Sequence, residues 1–285
     1  MGAKDYAEYR NLSYINTQEV STFEWVQTDL PFPGTTNSEG TYLKGPDDFD
    51  NDPYYWQDQI FRSGLTHDLN LNISGQSQGF DYSVSGGYLN QEGIINGSDY
   101  SRYTMKANLN KQIKSWLKFG TSVSGTFANS NVLKTATNNQ NNGTEGVIRS
   151  ALTYPASQTQ EDLDNEYSIV AVPTRYINAL NENKNMTFRT SNYLNITLMD
   201  GLIFRSVLGY NYTRNDANKY WPSYLAEGKG IGGKSNAGDN WRTSLLFDNL
   251  LMYNTTFNRK HSVSATEGTS REESSDFNKA ITVQG

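Results

Sequence analysis

Cysteine is absent from this chain of 285 residues, which also holds only two histidines and seven prolines. Without cysteine there is no disulfide framework, no thiolate metal centre and no cysteine nucleophile. The histidines, His67 and His261, stand near the two ends of the strand-rich region. Neither has a partner at a spacing that suggests a catalytic triad or a zinc site, so each reads as a solvated turn or strand-end residue. Positive charge is scarce too: 24 Lys and Arg face 30 Asp and Glu, a net charge of -6. No basic stripe is present, which argues against nucleic acid as a partner. No apolar run reaches the ~18 residues of a membrane-spanning helix. The opening "MGAKDYAEYRNLSYINTQEV" lacks the apolar core of an export signal. Hydrophobic residues make up 35% of the chain and mean hydropathy is -0.70, less apolar than a soluble globular protein of this length needs.

Aromatics are plentiful at 13%, with 19 Tyr and 24 Gly beside them, a mixture that favours strands and turns. The period is two. In "DYSVSGGY", Tyr82, Val84 and Tyr88 alternate with Ser83, Ser85 and Gly87, the pattern of a strand with one apolar face. Leu69, Leu71 and Ile73 alternate with Asn70 and Asn72; Tyr103, Met105, Ala107 and Leu109 with Thr104, Lys106 and Asn108; Leu117, Phe119, Val123 and Phe127 with Lys118, Ser122 and Ser124. Further strands are expected over 188–198, 202–212, 241–253 and 261–266. Each alternating run is about as long as the ~9–11 residues with which a tilted strand crosses a bilayer.

The connections alternate in length. "GQSQG", "NKQIKS", "MDG" and "TTFNRK" are short, whereas "QEGIINGSD" and the stretches 129–184 and 213–240 are long. Turns at one end and long loops at the other fit strands that run up and down through a membrane. The long loops are then expected outside the cell and "MDG" in the periplasm. The polar face is mostly Ser, Asn, Thr and Gly, with few of the Lys and Glu that a water-facing sheet carries. That composition suits a wet lumen, with lipid on the Tyr82 side. Tyr88, Tyr100, Tyr103, Trp116, Tyr210, Tyr212, Trp241 and Tyr253 stand at expected strand ends, where aromatic girdles form.

Other stretches offer chemistry. "DDFDND", 47–52, has carboxylates but neither the spacing nor the distal Glu of an EF-hand, and reads as a solvated acidic loop. Gly86 and Gly87 lie within a strand, so close packing explains them better than a phosphate loop. "EGVIRSALTYPAS", 145–157, has near-helical apolar spacing and is expected to form a short loop helix. "NKYWPSYLAEG" places Tyr220, Trp221 and Tyr224 in a long loop, where aromatic faces serve as platforms for sugars or peptides. These three are the candidate substrate-binding residues; catalytic residues, metal ligands and cofactors are not expected.

The runs "WQDQIFRSGLTHDLNLNISG", "YSVSGGYLNQEGIINGSDYSRYTMKANLN", "WLKFGTSVSGTF" and "DGLIFRSVLGYNY" followed by "YWPS" resemble the SusC/RagA-like TonB-dependent outer-membrane transporters of the Bacteroidetes. The resemblance implies an all-β fold, an antiparallel transmembrane β-barrel of which this chain is a fragment, the whole having about 22 strands and an N-terminal plug. It implies import of a large nutrient, an oligosaccharide or a peptide, without enzymatic chemistry. The implied partners are a SusD-like surface lipoprotein and the TonB-ExbB-ExbD complex. In these terms residues 1–60 are an expected surface segment within the barrel region. Residues 61–285 are an expected partial barrel of about eight strands with long loops at 129–184 and 213–240, the signal peptide, plug and C-terminal strands being absent. Two other classes remain open on sequence alone: a soluble β-sandwich that binds carbohydrate, and an outer-membrane barrel enzyme.

Overall fold

A computed structural model describes residues 3–18, 30–49, 56–134, 146–154, 172–225 and 227–285. Eight strands dominate it: β3 (Thr66–Ser77), β4 (Phe80–Glu92), β5 (Asp99–Lys114), β6 (Leu117–Asn131), β7 (Leu180–Met199), β8 (Leu202–Trp221), β9 (Lys234–Phe257) and β10 (His261–Gln284). They form one antiparallel sheet in strict chain order, with β3 and β10 at its edges. A sandwich would lay a second sheet on this one. Among the described residues the only other sheet is a two-residue hairpin, β1 (Thr35–Thr36) with β2 (Tyr42–Leu43), so the sandwich is set aside.

None of the seven prolines falls within β3 to β10, so every residue of the ladder retains its N–H donor. Register runs unbroken along most strand pairs. The two irregularities, at Gln112/Lys114 and Thr197/Met199, sit beside the tight turns of residues 115–116 and 200–201. The turn between β3 and β4 has positive φ at both Gln78 and Gly79, the type I′ geometry that matches strand twist. All four tight turns lie at one end of the sheet and the longer connections, 93–98, 132–179 and 222–233, at the other.

The two faces follow from register. Ile73, Val84, Ala107 and Val123 align across four strands, and Leu71, Gly86, Met105, Gly125, Phe188, Tyr212 and Thr243 form a neighbouring row. No second layer covers this face among the described residues: Met105 is 62% exposed and Leu71 65%. The opposite face carries Asn72, Ser85, Lys106, Ser124, Arg189, Asn211 and Ser244 in one row. Neighbouring polar groups bond across it, as where Ser122 Oγ donates to Asn108 Oδ1 at 2.8 Å and Tyr193 Oη to Asn110 Oδ1 at 2.8 Å. A Cβ on Gly87 would meet the Asn70 amide and the Thr104 hydroxyl at 2.6 Å, so crowding on this face explains one glycine of the pair.

The later strands are far longer than their alternating cores. Residues 213–221 and 234–240 are strand, paired in register, so the connection expected over 213–240 is confined to 222–233. Beyond the bilayer neither face needs to be apolar, and both sides of "TRNDANKYW" are polar. Arg214 holds Asp239 there through two contacts, Nε to Oδ1 at 2.8 Å and a terminal nitrogen to Oδ2 at 2.9 Å. Likewise β10 continues through Gln284, well past the expected end near Thr266. A strand of 24 residues, such as β9, rises ~80 Å along its axis, more than twice what a tilted crossing needs.

The first segment contains helix α1 (Ala3–Gln18) and the hairpin, the latter followed by a 3-10 turn at Pro46–Asp48. Asn11 ties the helix to the chain, its amide donating to the Phe32 carbonyl at 2.6 Å and its Oδ1 accepting from the Phe32 N–H at 2.9 Å. Lys4 pairs with Asp47 at 2.8 Å. The Asp48 carboxylate accepts from the Gly45 N–H at 2.7 Å and the Tyr42 hydroxyl at 2.8 Å. The acidic run is therefore structural at Asp47 and Asp48; its remaining residues, 50–52, lie outside the described ones.

Two outcomes are expected. Val84→Arg or Met105→Arg costs about 2–4 kcal/mol of folding free energy, and Ser83→Arg or Ser122→Arg far less, as read by urea unfolding in lipid vesicles; equal costs on both faces overturn the assignment. Second, the Gly45 N–H and then the Tyr42 hydroxyl hold the Asp48 carboxyl below the ordinary carboxylate range. A depressed value stabilises the folded form fully above the ordinary range, and the effect is lost below that range, as pH falls through the lowered value of the folded form. Amide exchange at Gly45 should accelerate below about pH 4, and Asp48→Asn should remove that acid dependence.

Candidate functional site

At the long-loop end, short elements gather into a compact core. Helix α2 (Trp56–Ile60) precedes β3, α3 (Val147–Thr153) and α4 (Pro173–Tyr176) lie between β6 and β7, and the 222–233 connection joins β8 to β9. Trp56, Ile60, Ile95, Leu133, Val147, Ala151, Tyr154, Val172, Tyr176 and Leu225 are buried together. Trp56 meets Tyr154 edge to face, ring centres 5.0 Å apart, a favoured aromatic geometry. The α3 helix expected from "EGVIRSALTYPAS" is present, shorter than the motif, and Ile148 packs against this core.

Polar ties bind the core to the strand ends. Arg62 donates from Nε to the Gly93 carbonyl at 3.0 Å and from a terminal nitrogen to the Ser98 carbonyl at 3.1 Å. Asn131 donates to the Gly97 carbonyl at 2.6 Å and accepts from the Asn181 N–H at 3.1 Å, joining the 93–98 loop to β6 and β7. Gly97 has φ +81°, and a Cβ there would press on Ile177 at 3.1 Å, so glycine answers two demands at once. Lys134 Nζ pairs with Glu227 Oε1 at 2.5 Å, linking the end of β6 to the β8–β9 connection.

The three candidate substrate-binding residues are close in sequence but differ in role. Trp221 packs against the core, and the Lys234 ammonium stands 5.9 Å from its ring centre. Tyr220, on the other face of β8, is 43% exposed, and Tyr224 is 40% exposed. The Arg175 guanidinium lies 5.3 Å from the Tyr224 ring centre, a cation–π distance. Open aromatic surface is thus left on Tyr220 and Tyr224, and Trp221 serves mainly as packing. Sequence reasoning missed Arg175; the cue was Pro173 at the first position of a helix, in "VPTRY".

The histidines do not meet. His67 opens β3 at the long-loop end and His261 opens β10 beside a tight turn, at opposite edges of the sheet. Among the described residues no group of three or more His, Asp or Glu is placed to hold a metal ion.

A single antiparallel sheet with one apolar and one polar face, tight turns at one end and long connections at the other, is the wall of a transmembrane β-barrel. No protein-family model matches the chain. It is 28% identical over 229 residues to the TonB-dependent receptor P3 of Formosa agariphila, covering 76% of this chain and 22% of that protein. It is 27% identical over 224 residues to TonB-dependent receptor P39 of the same organism, covering 74% of this chain and 20% of that one. The TonB-dependent receptor SusC of Bacteroides thetaiotaomicron is 41% identical over 54 residues, 19% of this chain and 5% of SusC. Among solved structures, the RagAB peptide transporter superposes on all of this chain with a TM-score of 0.72 at 20% identity, over 33% of its own chain. The resemblance to SusC/RagA-like TonB-dependent receptors therefore holds over most of this chain, and the fold is part of a β-barrel wall like that of the RagAB transporter. The chain spans less than a quarter of the length of the curated relatives it matches.

Trp56→Ala should loosen the loop core by about 3–5 kcal/mol. Hydrogen exchange should then rise in α3 and in the 222–233 connection, with the central amides of β5 and β6 unchanged; a uniform rise across the sheet would show that the core is not a separate unit.

Proposed function

We propose that the chain contributes wall strands and extracellular loops to a TonB-dependent importer of a large nutrient, an oligosaccharide or a peptide. The observation that carries this reading is the sheet itself: a hydroxyl- and amide-rich face opposite an uncovered apolar one, with a loop core on the tall end. A lumen suits passage of hydrated solutes, and the loop end offers Tyr224 as an exposed ring, Tyr220 lying on the outer face of β8 with Tyr210 and Tyr212. In this reading residues 1–60 form a surface segment, which agrees with the packing of Trp56 and Ile60 among the long loops. Residues 61–285 form the wall. The partners are a SusD-like lipoprotein closing over the loops and the TonB-ExbB-ExbD complex as energy source, placing the protein in the outer membrane. The reading needs no covalent chemistry.

The test is deletion of the gene in its own host, followed by uptake of labelled oligosaccharides and peptides. Loss of uptake of one of these classes, matched by loss in a strain lacking TonB, is expected; uptake unchanged for both classes overturns the proposal. Sidedness has its own test. An epitope tag inserted after Lys229 should be stained on intact cells, and one after Asp200 only once the outer membrane is permeabilised, a pattern whose reversal inverts the orientation.

A further inference from the structure

Charge on the polar face is segregated. On β5 to β8 that face carries Arg102, Lys106, Lys118, Arg189, Arg205 and Lys219 and not one carboxylate. The acids of the same face stand on flanking strands, Asp68 and Asp81 on β3 and β4, and Asp248, Glu272 and Asp276 on β9 and β10. In a chain of net charge -6 this cationic stripe runs against composition. Among the described residues none of the six forms an ion pair, whereas Arg242 on β9 lies 3.7 Å from Asp276.

Four of these cations stand in two aligned pairs: Lys118 and Arg205 flank Asn195 nearer the tight turns, and Lys106 and Arg189 flank Ser124 beside a hollow. Lys106 opposes Ser124 on β6, and Ser124 opposes Arg189 on β7. Their backbones are two strand spacings apart, ~10 Å, within which two long side chains can converge above a serine. A hollow of about 480 Å³ opens here, with Ser122, Ser124 and Ser191 in its wall and Glu272 at its far side. Arg189 is oriented by donating from Nε to Asn211 Oδ1 at 3.1 Å.

We infer that Lys106 and Arg189 form a lumenal binding site for a carboxylate carried by the imported solute, a deepening that rests on the import reading above. The guanidinium pairs with a carboxylate through parallel N–H bonds and the ammonium adds a mobile point charge. Cations without an ion-pair partner among the described residues also raise the local concentration of anions. The serine hydroxyls favour a hydrated, exchanging ligand, whereas a permanently docked protein surface buries an apolar centre.

The experiment uses the full-length protein purified in detergent from its own host, with triglutamate and triglutamine as probes of equal length. Triglutamate should bind with an affinity that falls as salt rises, and triglutamine should bind far less. Lys106→Gln together with Arg189→Gln should weaken triglutamate binding by at least about tenfold and flatten its salt dependence. Equal binding of the two peptides, no binding of either, or a double variant that binds as the parent does, each overturns the site. A double variant that melts earlier yet binds triglutamate normally also overturns it, by assigning the cations to a carboxylate of the protein itself. Lys118→Gln, three rows away on the same face, controls for general loss of charge and should retain most of the affinity. Binding is read without energised uptake, so its failure and that of the import reading are separate results.

Discussion

In hydrocarbon no water is available to a bare peptide group, and a single unpaired N–H or C=O costs several kcal/mol. The sheet follows from that constraint. Each strand is bonded to the next in chain order with hardly a break in register, and the two irregularities lie beside the turns, at the margin of the apolar band. Proline, which would remove a donor, is kept to the first segment and the connections. Once the backbone is committed to a ladder, the pleat forces side chains to alternate. The same strand must then meet two media, and Val84 beside Ser83 and Ser85 is how one short run does so.

Past the hydrocarbon the constraint relaxes to one on the backbone alone. The ladder continues through residues 213–221 and 234–240 with polar residues on both faces, held by ties such as Arg214 to Asp239. These extensions lift the connection between β8 and β9 and give it a platform. Loops on their own would carry unpaired backbone and little buried area; a core around Trp56, Val147 and Leu225 lets four separate segments share one apolar centre. The surface at the tall end therefore depends on strand length, which brings Tyr224 beside Arg175 although 49 residues separate them in sequence.

That layering explains what the sequence made legible. The alternating cores were readable because a two-faced strand leaves a period of two, and the turns because Gln78-Gly79 and Asp200-Gly201 are local signals. Strand ends were not readable: in "TRNDANKYW" nothing alternates, since both sides face water. The loop core left no periodic trace, its members being drawn from positions as distant as Ile60 and Leu225. Of the aromatic trio, Trp221 was indistinguishable by residue type from its exposed neighbours, and only packing separates the roles. Lys106 and Arg189 were visible singly, but nothing in the sequence states the register that puts Ser124 between them.

The last strand shows that pairing and face polarity are separate demands. β10 is paired with β9 along its whole length, from His261 opposite Phe257 to Gln284 opposite Lys234. Its side chains on the apolar side nevertheless read Ala265, Glu267, Thr269, Arg271 and Glu273, with Glu267 directly opposite Leu251 and Arg271 opposite Phe247. The Arg271 and Glu273 side chains pair with each other along the strand, which offsets charge but leaves the desolvation of both. The apolar band that runs through Phe204 and Leu251 ends at this strand, although the hydrogen bonds do not. Backbone geometry thus accepts any proline-free stretch as the next strand, whereas the medium each face can meet is decided residue by residue. The boundary of the lipid-facing surface is written in the side chains of β10 and is invisible to its ladder.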